Sequence, residues 1–543
     1  MVEKNKEYTV EIETVSSDGN SIAHIDGFAV FVPQTAAGDT AEILIVKVLK
    51  RFAYGKLLKI ITPSPLRCES DCAHYKRCSG CQLRHIKYDA QLEIKKDIIE
   101  NAMRRIGAFE DFALDGITGM DKPERYRNKM VFPIGRANGK NVCGFYAQRS
   151  HSIIPLTDCA IGDEINGRIN SAVLEYMNEN GVRAYDESSH TGVIRRVFTR
   201  KSFCSGEIMV VISANARKLP KREKLIAKLR NISDKIVSVI LNINMKRNNL
   251  VITDENVTLW GADRISDTLC GIKFMISPQS FFQINPVQTE KLYQKALEYA
   301  EIDNGMSVMD IYCGIGTISL CTAKRAKRVI GVEIVAKAIA DAKENAENNG
   351  IKNAEFYADS AENLVPRLIA QGETPDIVIL DPPRKGSDDA TLAAIVKAMP
   401  KRIVYVSCNP STLARDARCL ANNGYTIEKS QAFDLFPHTM HVETVCLLSK
   451  LNAKEHIEVE LNMDELDLTA AESKATYEEI KRYVSEHSGL NVSTLYIAQI
   501  KQKYGIIERE NYNKPKSENA RQPKCPIEKE KAITEALRYF EMI

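Results

Sequence analysis

The chain has no run of about 18 apolar residues, so the sequence offers no transmembrane helix. Its first residues, MVEKNKEYTV, carry no apolar core of a secretory leader. The sequence therefore points to the cytosol, where thiols stay reduced. No internal repeat or low-complexity segment is present. Neither sign of charge is in large excess, with a net charge of +3. From Leu451 onward, 14 Lys and Arg face 17 Asp and Glu, a balance of −3 that leaves +6 on the rest. Basic spots such as Arg195, Arg196, Arg200 and Lys201 suit a phosphate-bearing partner, and an ordinary solvated surface would look the same. Apolar residues make up 44% and charged residues 27%, the composition of a globular chain. At 543 residues the chain exceeds one ordinary domain, so three or four are expected. Fourteen cysteines in a reducing compartment read as metal ligands, nucleophiles or buried thiols before disulfides.

Four domains follow from the pattern: 1–65, 66–274, 275–450 and 451–543. In the first, Tyr8, Val10 and Ile12 alternate with Thr9, Glu11 and Glu13, the period of a half-buried strand. Strand-like runs recur at Phe28–Val32, Glu42–Val48 and Gly55–Ile61, divided by turn signals at Asp18-Gly19-Asn20 and Gly38-Asp39. Five short strands in this length predict a small barrel of the OB kind. A Cys-rich stretch and a mixed α+β region follow. From Ser277 to Lys450 strands alternate with amphipathic helices, which predicts an α/β domain with a doubly wound parallel sheet. Beyond Leu451, Thr476 with Glu479 makes a capping box, and Tyr477, Ile480 and Val484 share a helix face that Gly489 can end. Ser493 can cap a second helix, with Ile497, Ile500 and Tyr504 aligned before Gly505. The pair has a helix-turn-helix pattern, and Asn511–Pro526 reads as a linker.

The run from Ser307 to Thr317 is an apolar strand entering a glycine turn, Gly314-Ile315-Gly316, before a helix. Glycine lets backbone approach a ligand and lets the helix N-terminus point at it. Ser319 stands where a dinucleotide fingerprint has its third Gly or Ala. Glu333, at the end of the next strand, is spaced to bind ribose hydroxyls, and Asp359 after a third strand can reach an adenine edge. With no pyrophosphate to cradle, the ligand is a nucleoside, and S-adenosylmethionine fits better than NAD. Two further strands end in Asp381-Pro382-Pro383-Arg384 and Ser407-Cys408-Asn409-Pro410, where an open α/β sheet binds its ligands. Amino-group methylases place an aromatic after the prolines, and Arg384 stands there instead. A thiol at a strand end beside a methyl donor suggests covalent catalysis by Cys408. Uracil carbon 5 is a poor nucleophile until a thiolate adds at carbon 6 and makes an enolate.

SPQSFFQINP, DIYCGIGTISL, DPPRKG, SCNPSTLARD and FPHTMHVETV, in that order along the chain, resemble the RNA uracil-5-methyltransferases, which make 5-methyluridine in tRNA and 23S rRNA. The resemblance covers about residues 5–450. It implies a class I methyltransferase domain, with the N-terminal barrel as the family's RNA-binding TRAM domain. It implies Cys408 as nucleophile and Glu443 as the base that takes the carbon-5 proton. If Glu443 is not that base, His438 or His441 is the alternative. It also implies that Gln283, Tyr312, Glu333 and Asp381 hold S-adenosylmethionine or lie beside the target base. Thr317 stands where some members carry Asn. Phe281 falls where an aromatic can lie against a flipped uracil. The expected partner is RNA, 23S rRNA ahead of tRNA, with no membrane and a monomeric chain.

Cys72-x5-Cys78-x2-Cys81 with Cys159 can close a zinc site or bind an iron–sulfur cluster. Cys68 with Cys72, Cys78 and Cys81 could make a zinc site without Cys159. The resemblance implies a structural [4Fe-4S] cluster on Cys72, Cys78, Cys81 and Cys159. Arg125-Tyr126-Arg127-Asn128-Lys129 alternates guanidinium and aromatic groups, which suits phosphate contact and base stacking.

Overall fold

The structure, a computed structural model, describes residues 2–148, 150–247, 250–450, 477–504, 525–540 and 542. The chain forms two compact units, Met1–Asn452 and Ala453–Ile543. Among the described residues no helix is long and apolar enough to cross a membrane.

The first unit opens with a barrel. Its strands are Glu7–Glu11, Thr14–Val15, Ser21–Ile25, Phe28–Val32, Thr40–Val48 and Phe52–Thr62. The first two are halves of one interrupted strand. Glu7–Glu11 pairs with Thr40–Val48, while Thr14–Val15 pairs with Ser21–Ile25, so the ring closes on itself. Closure leaves no free sheet edge. Val10, Val30, Val32, Ile43 and Ile45 fill the interior, as the alternating pattern predicts. Buried Asp39 accepts from Arg67 Nε and Nη2, both at 2.7 Å, and fixes the barrel to the Cys-rich stretch.

The middle of the chain builds a seven-stranded sheet from strands between Lys129 and Gly261, covered by helices Ile165–Glu179 and Arg222–Arg230. Two sequence expectations are corrected here. Tyr126 is buried and gives its hydroxyl to Pro437 O at 3.1 Å, so its ring cannot stack on a base. Arg125 is spent on Asp158, with both contacts at 2.6 Å. Arg200 of the basic spot is fully buried, and its Nη2 donates to Ser280 O at 2.9 Å. Tyr126 and Arg200 brace the interior, and Arg125 is held in a half-exposed pair with Asp158.

An eight-stranded sheet carries the rest. Its order is Ala354–Ala358, Arg328–Glu333, Ser307–Ile311, Ile377–Leu380, Arg402–Ser407, Glu443–Lys450, Tyr425–Phe433 and Gly116–Thr118. The first five run parallel, and Glu443–Lys450 is antiparallel to its neighbours on both sides. Helices cover both faces, which is the doubly wound architecture. Two pieces of the expected central domain belong to this sheet. Gly116–Thr118 is its edge strand. Helix Tyr88–Arg105 packs Ile99, Ala102 and Met103 into the core it shares with Leu413, Ala414 and Ala417.

In the second unit the helices Tyr477–Ser488 and Thr494–Lys503 meet a third, Ile527–Tyr539. Ser493 caps the second helix by accepting from Tyr496 N at 3.3 Å. Gly489, at φ +66°, ends the first. Ile480, Val484, Ile497 and Ile500 bury themselves against Ile533, Ala536 and Leu537, while Tyr504 is exposed. The apolar faces of the expected helix pair are thus covered by its own third helix. Thr476 of the capping box, Gly505 and linker residues 511–524 lie outside the described residues.

Lys95 Nζ lies 2.5 Å from Asp434 Oδ1, and both side chains are fully buried. Lys95→Met leaves the Asp434 charge buried and unpaired, with an expected loss of about 3–5 kcal/mol. Urea unfolding of the single variant and of Lys95→Met with Asp434→Leu checks this. The double variant should regain most of the loss, and a single variant within about 0.5 kcal/mol of the parent would remove the pair from the stability argument.

Candidate active site

The functional side chains gather at the carboxyl ends of the parallel strands. After Ser307–Ile311 the chain turns sharply, with Tyr312 at φ +70°, Gly314 at +57° and Gly316 at +81°. A Cβ on Gly316 would stand 3.1 Å from the Phe356 ring, so the turn is both left-handed and tight. Thr317 begins the next helix, and its Oγ1 meets Tyr293 Oη at 3.0 Å. Glu333 accepts from Gly314 N at 3.2 Å and from Val335 N at 2.9 Å, which ties the two strand ends together. Asp359 N donates to Glu333 O at 3.1 Å, so the two acids stand on neighbouring strand ends. The Asp359 carboxylate accepts from Ser360 N at 2.8 Å and pairs with Arg367 at 3.5 Å. Tyr312 Oη reaches Ser387 Oγ at 3.1 Å.

The sequence reading passes over Asp310. It sits buried in the strand before the turn and accepts from Ser319 Oγ at 2.5 Å. Its Oδ1 has no protein partner among the described residues, and burial pushes its pKa up to about 7. The available signal was an acid within an otherwise apolar buried strand. An open glycine turn, Glu333 and Asp359 together, and an orphaned acid oxygen below them fit a nucleoside with a cationic tail, as in S-adenosylmethionine.

Gln283 and Phe281 lie on the segment before helix Pro286–Ala300. Arg200 holds Ser280 O, and Asn128 Nδ2 holds Gln283 O at 2.9 Å. Gln283 is buried on this braced segment, whereas Phe281 is 63% exposed. Cys408 follows strand Arg402–Ser407 and precedes Asn409, the cap of helix Pro410–Ala421. Burial pushes its thiol up to about 12, with the charges of Glu443 and Asp381 adding and Arg384 opposing. Burial, then the Asp381 charge, drives Glu443 well above the carboxylate range, and Arg384 opposes that too. Asp381 is pushed up to about 7 by burial. The structure thus brings a thiol, two carboxyls and one guanidinium within electrostatic reach of one another. Arg384 Nη2 and His441 Nε2 are 3.3 Å apart.

The loop from Asp434 to Val442 walls this site. Asp434 takes Lys95 and, on its other oxygen, Tyr88 Oη at 2.9 Å. Gln91 accepts His438 N at 3.0 Å, and His438 O accepts both Gln82 N and Leu83 N at 3.0 Å. Burial drives His438 down to about 4, which leaves it neutral. A cleft of about 560 Å³ opens beside this loop, lined by Cys408, Arg384, Met440 and His441 with Ser16, Ser17 and Ile22 of the barrel. The barrel therefore faces the cysteine across the opening.

A separate cavity of about 220 Å³ is lined by Cys72, Cys78, Cys81 and Cys159, whereas Cys68 is outside it. Burial pushes Cys81 up to about 12, and the charges of Cys159, Cys78 and Cys72 act on it. Gly80 N donates to Cys78 Sγ at 3.4 Å. Among the described residues no three His, Cys, Asp or Glu side chains converge closely enough to hold a metal ion.

Raised acids favour the protonated fold, so their burial destabilises the fold as pH rises past the unfolded value of each acid towards its folded one. For Asp381 that window runs from about 4 to about 7. Asp381→Asn should therefore raise the melting temperature at pH 8 and leave it nearly unchanged at pH 4. A gain of equal size at both pH values would contradict the burial argument.

A family profile described as tRNA (Uracil-5-)-methyltransferase matches residues 87–451, and a TRAM-domain profile matches residues 2–58. An uncharacterised RNA methyltransferase of Clostridium tetani is 44% identical over 84% of this chain and 98% of its own length. Another, of Halalkalibacterium halodurans, is 43% identical over 83% of this chain and 98% of its own. Among solved structures, the Pyrococcus abyssi tRNA (uracil-54, C5)-methyltransferase in complex with S-adenosyl-L-homocysteine is similar, with a TM-score of 0.67 and 27% identity. That match covers 81% of this chain and all of the other. With the glycine turn, the acid-tipped strands and the cysteine already in one place, the chain belongs to the S-adenosylmethionine-dependent RNA uracil-5-methyltransferase family and carries a TRAM domain at its N-terminal end.

Proposed function

We propose that this protein forms 5-methyluridine in 23S rRNA through a covalent bond between Cys408 and uracil carbon 6. The observation that carries the reading is Cys408 at the carboxyl end of strand Arg402–Ser407, lining the cleft, where the charges of Glu443 and Asp381 act on its thiol. In the free enzyme burial, and after it the charges of Glu443 and Asp381, hold the thiol protonated. When the nucleophile forms, its proton passes to the Asp381 carboxylate, and the Glu443 carboxylate is kept for the carbon-5 proton. The Cys408 sulfur adds to carbon 6, and the electron pair moves to carbons 4 and 5 as an enolate. Bound S-adenosylmethionine would supply the methyl group, its S–CH3 bond breaking as carbon 5 is methylated and S-adenosylhomocysteine leaving. Glu443 then takes the carbon-5 proton, the carbon 5–carbon 6 double bond re-forms, and the cysteine leaves. Glu333 and Asp359 would hold the nucleoside, Gln283, Tyr312, Thr317 and Asp381 would line the reacting end, and Phe281, largely exposed, would lie against the flipped base.

Cys408→Ala should give neither product nor adduct. Glu443→Gln should transfer the methyl once and stall, because loss of a general base costs about 10²–10⁴ in rate. A protein–RNA adduct should then survive a denaturing gel, and it should be absent when both substitutions are combined. Normal turnover by Glu443→Gln would move the base to another group. Incubation of total RNA with labelled S-adenosylmethionine, followed by mapping of 5-methyluridine, separates 23S rRNA from tRNA. Label confined to tRNA would overturn the rRNA assignment.

We also propose that Cys72, Cys78, Cys81 and Cys159 hold a [4Fe-4S] cluster of structural role. Four thiolates on one zinc stand about 3.8 Å apart. All four cysteines line one cavity of about 220 Å³, which leaves room for a larger inorganic core. Purified protein should be brown, with about four irons per chain. Cys159→Ala should lose the iron and Cys68→Ala should keep it. Stoichiometric zinc in iron-replete expression would overturn the assignment.

A further inference from the structure

Two cysteines outside the active site and the four-cysteine cavity meet where a hairpin packs on the helix that follows the glycine turn. The hairpin pairs strands Ile265–Leu269 and Ile272–Ile276, with Leu269 opposite Ile272. Its two-residue turn is Cys270-Gly271, at φ +50° and +69°. Both central residues of such a tight hairpin turn take positive φ, which favours Asn, Asp and Gly over Cys. Cys270 is half-buried and packs on the core to which Cys321, on helix Thr317–Ala323, belongs. Cys321 Sγ lies 3.9 Å from Leu269 O, and its thiol also donates to the Cys270 sulfur. Lys324 Nζ donates to Cys270 O at 3.2 Å and to Gly271 O at 3.1 Å, which anchors an ammonium at the turn. The two thiols are unlike. The hydrogen bond it gives, and then burial, drive Cys321 far above the usual thiol range. The hydrogen bond it receives holds Cys270 below that range, and Lys324 adds to this, while burial and Glu290 oppose it.

We propose that Cys270 and Cys321 form an oxidation site for hydroperoxides, in which Cys270 reacts first and Cys321 closes a reversible disulfide. A sensing thiol needs thiolate character, a path to solvent and a second thiol in contact. Cys270 has all three, whereas Cys321 is too buried to meet an oxidant itself. In the first step the Cys270 thiolate attacks the peroxide. The O–O bond breaks, one oxygen stays as the sulfenic acid, and the other leaves as an alcohol, or as water when the oxidant is hydrogen peroxide. The Cys321 sulfur then displaces the sulfenic hydroxyl. Its own proton leaves with that hydroxyl as water, so two thiols are oxidised and one peroxide is reduced. A dithiol returns both cysteines to thiols by exchange. The closed bond would tie the hairpin to the helix that begins at Thr317, directly after the glycine turn. The inference is independent of the chemistry at Cys408 and of what the four-cysteine cavity holds.

The test uses the full reduced chain, treated with hydrogen peroxide for increasing times. Remaining thiols are then blocked with N-ethylmaleimide and the peptides mapped by mass spectrometry. A peptide pair joined through Cys270 and Cys321, and separated again by dithiothreitol, is the expected product. Cys204 serves as the internal control, because it is exposed where Cys270 is half-buried. Cys270 should be oxidised about tenfold faster than Cys204, as its greater thiolate character requires. Cys321→Ser should leave Cys270 as a sulfenic acid that dimedone traps, and Cys270→Ser should leave Cys321 a free thiol. If either variant fails to fold, the mapping of the parent chain decides alone. Absence of the Cys270–Cys321 link at peroxide doses that oxidise Cys204 overturns the site. Oxidation of Cys204 ahead of Cys270 would mean that exposure alone selects the thiol, and would overturn it too.

Discussion

The buried pair of Lys95 and Asp434 fixes the loop on which the rest of the site depends. Asp434 directly follows strand Tyr425–Phe433, and Glu443 begins the next strand nine residues later. Between them the loop must turn with His438 at φ +68°, a strained value for a side chain of that size. Lys95 bonds Asp434 and also Phe436 O at 3.1 Å, so the ion pair satisfies backbone groups of the turn as well as its own charges. Tyr88, Gln91 and Lys95 lie on one face of a single helix and grip the loop together. Gln82 and Leu83, directly after Cys81, hold the His438 carbonyl. Gly19 of the barrel fits against Gln82 and Met440 so closely that a Cβ there would stand 2.8 Å from each. Barrel, cysteine segment, helix and sheet thus meet at one strained turn.

The second constraint is electrostatic. Asp310, Asp381 and Glu443 are all pushed upward by burial, and Cys408 with them. Strand ends in an open sheet converge, so acids placed there for a cofactor and a substrate fall close together. Burial makes ionising these acids unfavourable to the fold and raises Asp310 and Asp381 to about 7.

Much of the catalytic domain was legible. Apolar strands ending in Gly, Glu, Asp and Cys read clearly, because parallel strands buried on both faces leave few other places for polar residues. The acid within such a strand, Asp310, was passed over because it looks like an interruption. Gly116–Thr118 was not legible, because three residues carry no period and their partner lies some 300 positions away. The basic ladder at Arg125–Lys129 misled for a related reason. A guanidinium among aromatics reads alike on a surface and in an interior, and only the fold shows that Arg125 meets Asp158 and that Tyr126 points at Pro437. The third helix of the second unit supplied a cover for the first two that their own pattern could not name.

Local pattern and residue chemistry determined the kind of fold, the family and the identity of the chemical groups. The glycine turn, Cys408 and the four cysteines of the cavity are all set by residue type and near spacing. Tertiary structure alone decided which groups share an environment. It separated Cys68 from the other cysteines, buried Arg200, placed the barrel across from Cys408 and set Cys270 against Cys321. The physical reason is that periodicity records which side of an element is apolar. What that side meets depends on elements hundreds of residues distant, and so do burial and pKa.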